Sequence, residues 1–117
     1  MKNFLAIYTG TPASMESWNN ITEAEKLERQ KEGIAAWHAW ADKHKDVIVE
    51  MGSPLGKTKS VSSSGIRDIK NNMTAYTVVR AESHEAAAKL FEDHPHFTIF
   101  PGDGVEVMEC LPIPSVE

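Results

Sequence analysis

Apolar positions along the chain group into short runs of the kind that form strands. Residues 4–9 are mostly apolar and rich in strand-forming types, and the run closes at Gly10 and Pro12. Similar runs follow later, so the predicted strands cover residues 4–9, 47–51, 74–81 and 105–111. Residues 60–64 are predicted as a polar edge strand, and residues 96–100 as a short extended piece before the last strand.

Two helices are predicted between these strands. Thr22 followed by Glu25 is a capping-box pattern, and it predicts a helix that runs from there to about Lys45. Ser83 is the predicted cap of a second helix over residues 85–93, which ends at His94 because the following proline disfavours helical geometry there. Residues 11–20 are predicted as a loop.

The resulting order of elements is β-α-β-β-α-β, which is the ferredoxin-like plan. We therefore predict an α+β fold with an antiparallel sheet, formed by residues 1–117 as one domain. Two helices cover only one face of such a sheet, and the other face still carries apolar side chains that need to be buried. A second copy of the chain is the expected cover, so we predict a homodimer.

The long helix carries two lines of side chains at a spacing of about 100° per residue. Leu27, Ile34 and Ala41 form the first line, which is predicted to face the core. The second line consists of Gly33, Trp37, Trp40 and His44. Its indoles form either core or dimer interface, or the wall of a ligand pocket, since large aromatic surfaces suit both uses.

Composition and charge exclude several classes of protein. The chain has 12 Lys plus Arg against 17 Asp plus Glu, a net charge of −5, so a nucleic-acid partner is not expected. It has no apolar run long enough to span a membrane and no signal-peptide pattern. The single Cys110 forms neither an internal disulfide nor a cysteine-based zinc site. We expect a cytoplasmic protein.

The segment His94-Pro95-His96 holds the main candidates for chemistry. Histidine titrates near neutral pH and serves as a general acid or base in pockets. His94 continues the apolar line of the second helix and is the candidate acid or base, assisted by Asp93 or His96. Alternatively, a histidine at a helix end simply bonds the last free carbonyls. Two histidines need a further ligand to hold a metal, so we expect no metal and no cofactor.

Candidate substrate contacts come from several segments. Tyr8, Trp37 and Trp40 are the predicted walls of a small-molecule pocket. Lys57 follows the turn at residues 52–56 and would lie at the mouth of that pocket. The same turn is one residue short of a phosphate-binding loop and lacks the following helix, so nucleotide binding is not expected there.

The order of several motifs resembles the YCII-related family. These motifs are Phe4-Leu5-Ala6-Ile7-Tyr8, Trp37 in the long helix, Gly52-Ser53-Pro54-Leu55-Gly56, Ala81-Glu82-Ser83-His84-Glu85-Ala86-Ala87, His94-Pro95, and Val105-Glu106-Val107-Met108-Glu109. The resemblance implies a dimeric α+β barrel of two ferredoxin-like subunits, with pockets between sheet and helices. Such barrels host isomerases, small oxygenases and dehydrohalogenases, and most YCII-related members have no assigned reaction.

The chain departs from the family pattern at two positions. The resemblance implies a histidine in the first helix and an aspartate directly before a proline at the end of the second. Here Ala35 stands near the first position, and His94 precedes Pro95 with Asp93 one residue earlier. Two functions are favoured: an enzyme that uses His94 on a small cyclic or aromatic substrate, or a non-catalytic ligand-binding or regulatory module on the same barrel. Haem or metal oxygenase chemistry on this barrel is a third, for which the sequence offers no ligand set.

Overall fold

The computed structural model describes residues 1–115. The strands in this part are β1 (Lys2–Thr9), β2 (Ile48–Glu50), β3 (Thr58–Ser62), β4 (Gly65–Ile69), β5 (Met73–Ala81) and β6 (Gly104–Glu109). The helices are α1 (Pro12–Asn19), α2 (Glu23–Lys43), α3 (His84–Lys89) and α4 (Pro95–Thr98). Within the described residues, no helix is both long enough and apolar enough to cross a membrane.

The main sheet has four strands in the order β2-β5-β1-β6, with every neighbouring pair antiparallel. Helices α1 and α2 form the first crossover, and α3 and α4 form the second. This is the strand order of the split βαβ, ferredoxin-like fold, and it confirms the predicted fold class. Strands β3 and β4 form a separate two-stranded hairpin between β2 and β5.

Alternation along β1 places its inward side chains against the helices. Phe4, Ala6 and Tyr8 are fully buried, and they pair across the sheet with the helix-facing side of β5. Trp40 of α2 and Phe91, just after α3, pack on these residues and complete the core. The helix face of the sheet is therefore well covered.

The opposite sheet face is apolar at its centre and lacks a covering element in the described part of the chain. Leu5 and Ile7 of β1 point to this side, beside Val78 of β5, and Met108 of β6 is 43% exposed there. The strand register also shows which face of the sheet each charged strand residue occupies. Those on the open face are Glu50, Arg80 and Glu106, whereas Glu109 lies on the helix side within 3.7 Å of Lys2.

The segment at residues 11–20, predicted as a loop, contains helix α1. Thr11 caps this helix by accepting the backbone N–H of Ser14, and the Ser14 side chain contacts the Thr11 backbone in return. Pro12 occupies the first turn, where its fixed φ suits a helix start. Trp18 is the one buried residue of this helix. Because the helix has no apolar stripe, the hydrophobic pattern did not predict it.

Helix α2 begins after Thr22 as predicted, but the prediction of its core face was wrong. Leu27 and Ile34 are 54% and 53% exposed, whereas Gly33 and Trp40 are buried. The indole line buries more apolar area than the aliphatic line, so the helix turns that side inward. Ala41 is half-buried and packs at the margin of the core.

The residues around His94 also differ from the expectation of an extended segment. His94 is the N-cap of α4, and its Nδ1 accepts the backbone N–H of His96. Pro95 then stands at the first helical position, where its missing N–H costs nothing. A side-chain cap supplied by an imidazole is unusual, and it starts a helix where propensity indicated extended structure.

Candidate functional site

Two cavities lie between the sheet and the helices, on either side of the Trp37 ring. The larger has a volume of about 630 Å³ and the smaller of about 330 Å³. Trp37, Ala75 and Phe100 line both cavities. The half-buried Trp37 indole therefore forms a shared wall, while Trp40, on the same helix line, packs in the core.

The larger cavity is bounded mainly by apolar groups with polar groups at its margin. Met15 of α1, Trp37 and Phe100 supply apolar walls, and His96 lies in the lining. The remaining lining residues come from α1, β5 and the loops beside them: Gly10, Thr11, Pro12, Lys70, Asn71, Asn72, Thr74, Ala75, Pro101 and Gly102. A pocket of this kind suits a small, flat, partly polar molecule.

The smaller cavity lies over Tyr8 and Thr77. Thr77 Oγ1 donates to the Met51 carbonyl at 2.9 Å, so the Tyr8 hydroxyl, 3.0 Å away, is the donor to Thr77. Burial raises the pKa of the Tyr8 phenol to about 12. Tyr8 is thus a neutral, tethered hydroxyl and not a proton acceptor at neutral pH.

His96 has a fixed orientation in the larger cavity. Its Nε2 lies 2.7 Å from the Thr9 carbonyl, which also accepts the Asp103 backbone N–H. A carbonyl only accepts, so Nε2 carries the proton and Nδ1 of the neutral ring is a proton acceptor. Burial lowers the pKa of His96, although the bond to Thr9 and the charge of Asp103 act in the opposite direction. The ring is therefore neutral at neutral pH.

Gly102 fixes the position of the His96 ring from the other side. A Cβ atom at Gly102 would overlap Nε2 and would come within 2.5 Å of two ring carbons of His96. The Gly102 backbone N–H also donates to the His96 carbonyl at 2.9 Å. The close approach needs a glycine, and it leaves the ring little freedom to rotate.

His94, the candidate acid or base, is buried in the core and does not reach either cavity. Its ring is fully buried and lines neither of the two cavities beside Trp37. Trp37 and Trp40 hold it at centroid distances of 4.5 Å and 4.6 Å, with Tyr8 at 5.1 Å. Burial, and then the nearby imidazoles of His96 and His44, lower the pKa of His94 to about 4.

The structure separates the other predicted site residues. Asp93 is exposed at φ 56°, and its carboxylate makes no hydrogen bond to either imidazole in residues 1–115. Trp40 is 8% exposed and donates its indole N–H to the Leu90 carbonyl at 2.7 Å. Lys57 lies at the base of the β3–β4 hairpin, beside a third, open cavity of about 960 Å³.

Several residues of the site are not evident from the sequence. Phe100 packs on Gly33, where a Cβ would lie 2.5 Å from two ring carbons, and it separates the cavities together with Trp37. The sequence indicates Gly102 only as part of a turn, and Thr9 acts through a backbone carbonyl that has no sequence signature. Among the described residues, no group of three His, Cys, Asp or Glu side chains is placed to hold a metal ion.

Comparison with solved structures finds the same fold elsewhere. One similar structure is 5-chloro-2-hydroxyhydroquinone dehydrochlorinase (TftG) from Burkholderia phenoliruptrix AC1100, in complex with 2,5-dihydroxybenzoquinone. The similarity has a TM-score of 0.52 at 18% sequence identity, and it covers 90% of this chain and 89% of that one. No protein-family model matches the chain, and no curated protein matches it in sequence. At this identity the similarity shows the α+β fold alone.

Proposed function

We propose that this chain is a homodimeric enzyme of the YCII-related type that transfers a proton on a small cyclic or aromatic compound bound beside Trp37. The observation that carries the proposal is the fixed His96 imidazole in the lining of the larger cavity, with Nε2–H bound to Thr9. The apolar walls supply the surface for a flat ring. TftG, which shares the fold, has 2,5-dihydroxybenzoquinone as its bound molecule, and this supports the same class of compound.

In this proposal His96 is the base and His94 is a positioning residue. The substrate proton moves to His96 Nδ1, and the electron pair stays on the substrate, where a conjugated ring delocalises it. The imidazolium then returns a proton to another ring atom, so the cycle needs no oxidant or reductant. The nearby Asp103, whose charge raises the pKa of His96, stabilises the imidazolium while it exists.

Asp93 has a smaller place in this scheme than the sequence indicated. Its carboxylate lies in solvent and its left-handed backbone closes the turn between α3 and His94. We propose that Asp93 shapes the turn that presents the two histidines and that it takes no proton. Lys57 is likewise assigned no contact with a substrate beside Trp37.

The test uses 2,5-dihydroxybenzoquinone as the probe. Binding is measured by quenching of tryptophan fluorescence, and proton transfer by deuterium incorporation at the ring C–H positions in D₂O, followed by NMR. We expect the wild-type protein to accelerate exchange and His96→Gln to reduce it about 100-fold or more, with binding changed less than about threefold. His84→Gln is the matched control, because His84 bonds the Val107 carbonyl away from the cavities.

Other outcomes separate the two functions that the sequence left open. Binding without accelerated exchange would favour a non-catalytic ligand-binding module, which the mainly apolar lining of the larger cavity also suits. Equal exchange rates in His96→Gln and wild type would exclude His96 as the base. Absence of both binding and exchange would contradict the proposed substrate class.

The homodimer is proposed from the open face of the sheet. Leu5, Ile7 and Val78 form an apolar centre there that a second copy would bury in a two-fold interface. Val78→Glu is expected to give a monomer in sedimentation velocity at micromolar concentration, because it buries a charge at that centre. Leu27→Glu, on the exposed side of α2, is expected to leave the dimer intact. A wild-type monomer would contradict this part of the proposal.

A further inference from the structure

The hairpin of β3 and β4, residues 57–70 with its flanks, extends away from the rest of the molecule; we call it the arm. The radius of gyration is 16.6 Å, and the longest dimension is 60 Å against 18 Å for the shortest. A compact chain of this length has a radius of gyration of about 13 Å. The arm contributes no residue to the core cluster, so it stands apart from the packed body.

The arm is poorly supported in a single chain. All residues from 61 to 72 are exposed, and Val61 and Ile66, which pair across the two strands, are 73% and 70% exposed. The Lys59–Asp68 ion pair at 2.7 Å is exposed as well and adds little. Since an isolated two-stranded hairpin is marginally stable in water, the arm needs a surface to lie on.

The charge of the arm is opposite to that of the body. Residues 57–70 contain four basic residues and one acidic residue, a net charge of +3, although the whole chain carries −5. The rest of the chain therefore carries −8. Apart from Lys59, the arm's basic side chains make no ion pair within residues 1–115; they are Lys57, Arg67 and Lys70.

The acidic charge is concentrated at the far edge of the sheet. Residues 82–93 and residues 103–109 each carry a net charge of −3, and they lie together because α3 packs on β6. Strand β6 is one edge of the sheet, whereas the arm connects β2 and β5 at the other edge. The two sheet edges lie opposite each other, and within the described residues of one chain only the base of the arm, at Lys70, shares a cavity with the segment just before β6. We therefore look for the partner of the arm strands in a second chain.

The same edge offers apolar surface for the tip of the arm. Met108 of β6 is 43% exposed, and Leu111, just beyond the strand, is 73% exposed. The arm strands have five residues each, so at about 3.4 Å per residue the arm is long enough to reach along most of β6. The tip of the arm is therefore apolar, at Val61 and Ile66. The exposed side chains near the end of β6 are apolar as well, so the two surfaces can pack together.

We propose that the arm docks on the β6 edge of a second copy of this chain, with its basic side chains against the acidic edge and its apolar tip near Met108. In a two-fold dimer this contact forms twice, once for each arm. The proposal rests on the homodimer proposed above and adds a second contact region to the sheet face. It also covers an edge strand that would otherwise be free to pair with other chains.

The test measures the dimer dissociation constant by sedimentation velocity at low and high salt. Lys57→Glu with Arg67→Glu is expected to weaken the dimer about tenfold or more at low salt and less at high salt, because screening reduces the charge term. Lys31→Glu with Lys45→Glu changes the net charge equally at exposed positions outside the arm and is expected to have little effect. Equal effects of the two pairs would overturn the proposal.

A charge exchange identifies the docking surface. Adding Glu106→Lys and Glu109→Lys to the arm variant is expected to restore the wild-type dissociation constant, because both partners of the contact are then reversed. Failure to restore it would overturn the assignment to β6. If Val78→Glu dissociates the dimer while every arm variant behaves as wild type, the sheet interface holds and the arm contact is wrong. Probe binding at the His96 cavity is measured separately, so failure of the proposed activity remains distinguishable.

Discussion

The Nδ1 atom of the buried His94 accepts the backbone N–H of His96 at 3.0 Å. This single bond connects the aromatic core to the histidine that lines the larger cavity. His94 caps α4, and the first turn of α4 then directs the His96 ring toward the Thr9 carbonyl. The two histidines therefore have different positions: His94 caps the backbone of α4, and His96 lines the larger cavity.

Acid should destabilise the protein through His94. Burial and the neighbouring imidazoles lower its pKa to about 4 in the folded chain, below the unfolded value near 6.5. The unfolded chain therefore binds the proton first, and about 3 kcal/mol of stability present above pH 6.5 is lost between pH 6.5 and 4. Urea unfolding across this range measures the loss.

His94→Asn provides the comparison for this pH dependence. Asparagine keeps an acceptor for the helix cap but does not titrate, so the variant should be less stable at pH 7 and lose less stability on acidification. An unchanged slope between pH 6.5 and 4 in the variant would assign the acid sensitivity to other groups.

A side chain at Gly102 should displace His96. Gly102→Ala is expected to cost about 1–3 kcal/mol and to weaken both probe binding and proton exchange, because the added Cβ overlaps Nε2 of the ring. Gly104→Ala is the matched control, since nothing lies within 4 Å of a Cβ at that position. Thermal unfolding and the exchange assay measure the two effects, and equal behaviour of the two variants would contradict the steric role.

Substitutions of Trp40 and Trp37 in α2 should have different effects, one on the stability of the fold and the other on binding of the probe. Trp40→Phe removes the donor to the Leu90 carbonyl and is expected to cost about 1–3 kcal/mol with little change in probe binding. Trp37→Phe is expected to weaken probe binding about fivefold with a smaller loss of stability, because Trp37 lines both cavities. Urea unfolding measures the stability of both variants, and fluorescence titration measures their probe binding. If Trp40→Phe weakened binding and Trp37→Phe did not, the ligand would lie elsewhere.

Gly52 should tolerate no side chain. Its φ is 76°, and a Cβ there would overlap the Tyr76 carbonyl oxygen, so Gly52→Ala is expected to cost about 3 kcal/mol or more. Gly65 has φ 113°, but a Cβ there would meet no atom within 4 Å, so Gly65→Ala should show the backbone cost alone, about 1–2 kcal/mol. Thermal unfolding of the two variants measures both costs. A smaller effect at Gly52 than at Gly65 would show that the turn rearranges freely.

The four strands of the main sheet and the caps of α2 and α3 were predictable because their signals are local, whereas strand β4 was not predicted. The apolar run at residues 4–9, the Thr22 cap and the Ser83 cap each depend on residues within one turn or one strand. Helix α1 and helix α4 were not predicted, because each is short and its cap, from Thr11 or His94, is not followed by an apolar stripe that would mark a helix.

The candidate site was predictable only in part. Trp37 and the segment around His94 and His96 stand out in the sequence, and the structure brings them together around the larger cavity and the core beside it. Which histidine reaches the cavity was not predictable, because the backbone turn at Asp93 and the helix start at Pro95 decide it. Phe100 and Gly102 carry no chemical signature, and their roles come from close approach alone.

The sequence by itself determined the order of the four main-sheet strands and of helices α2 and α3, and with it the ferredoxin-like class, because alternation, caps and proline act over a few neighbouring residues. Only the tertiary structure decided which side of α2 faces the sheet and which histidine lines the cavity. Those choices depend on how much area each face buries against distant residues, and no spacing within one segment contains that information.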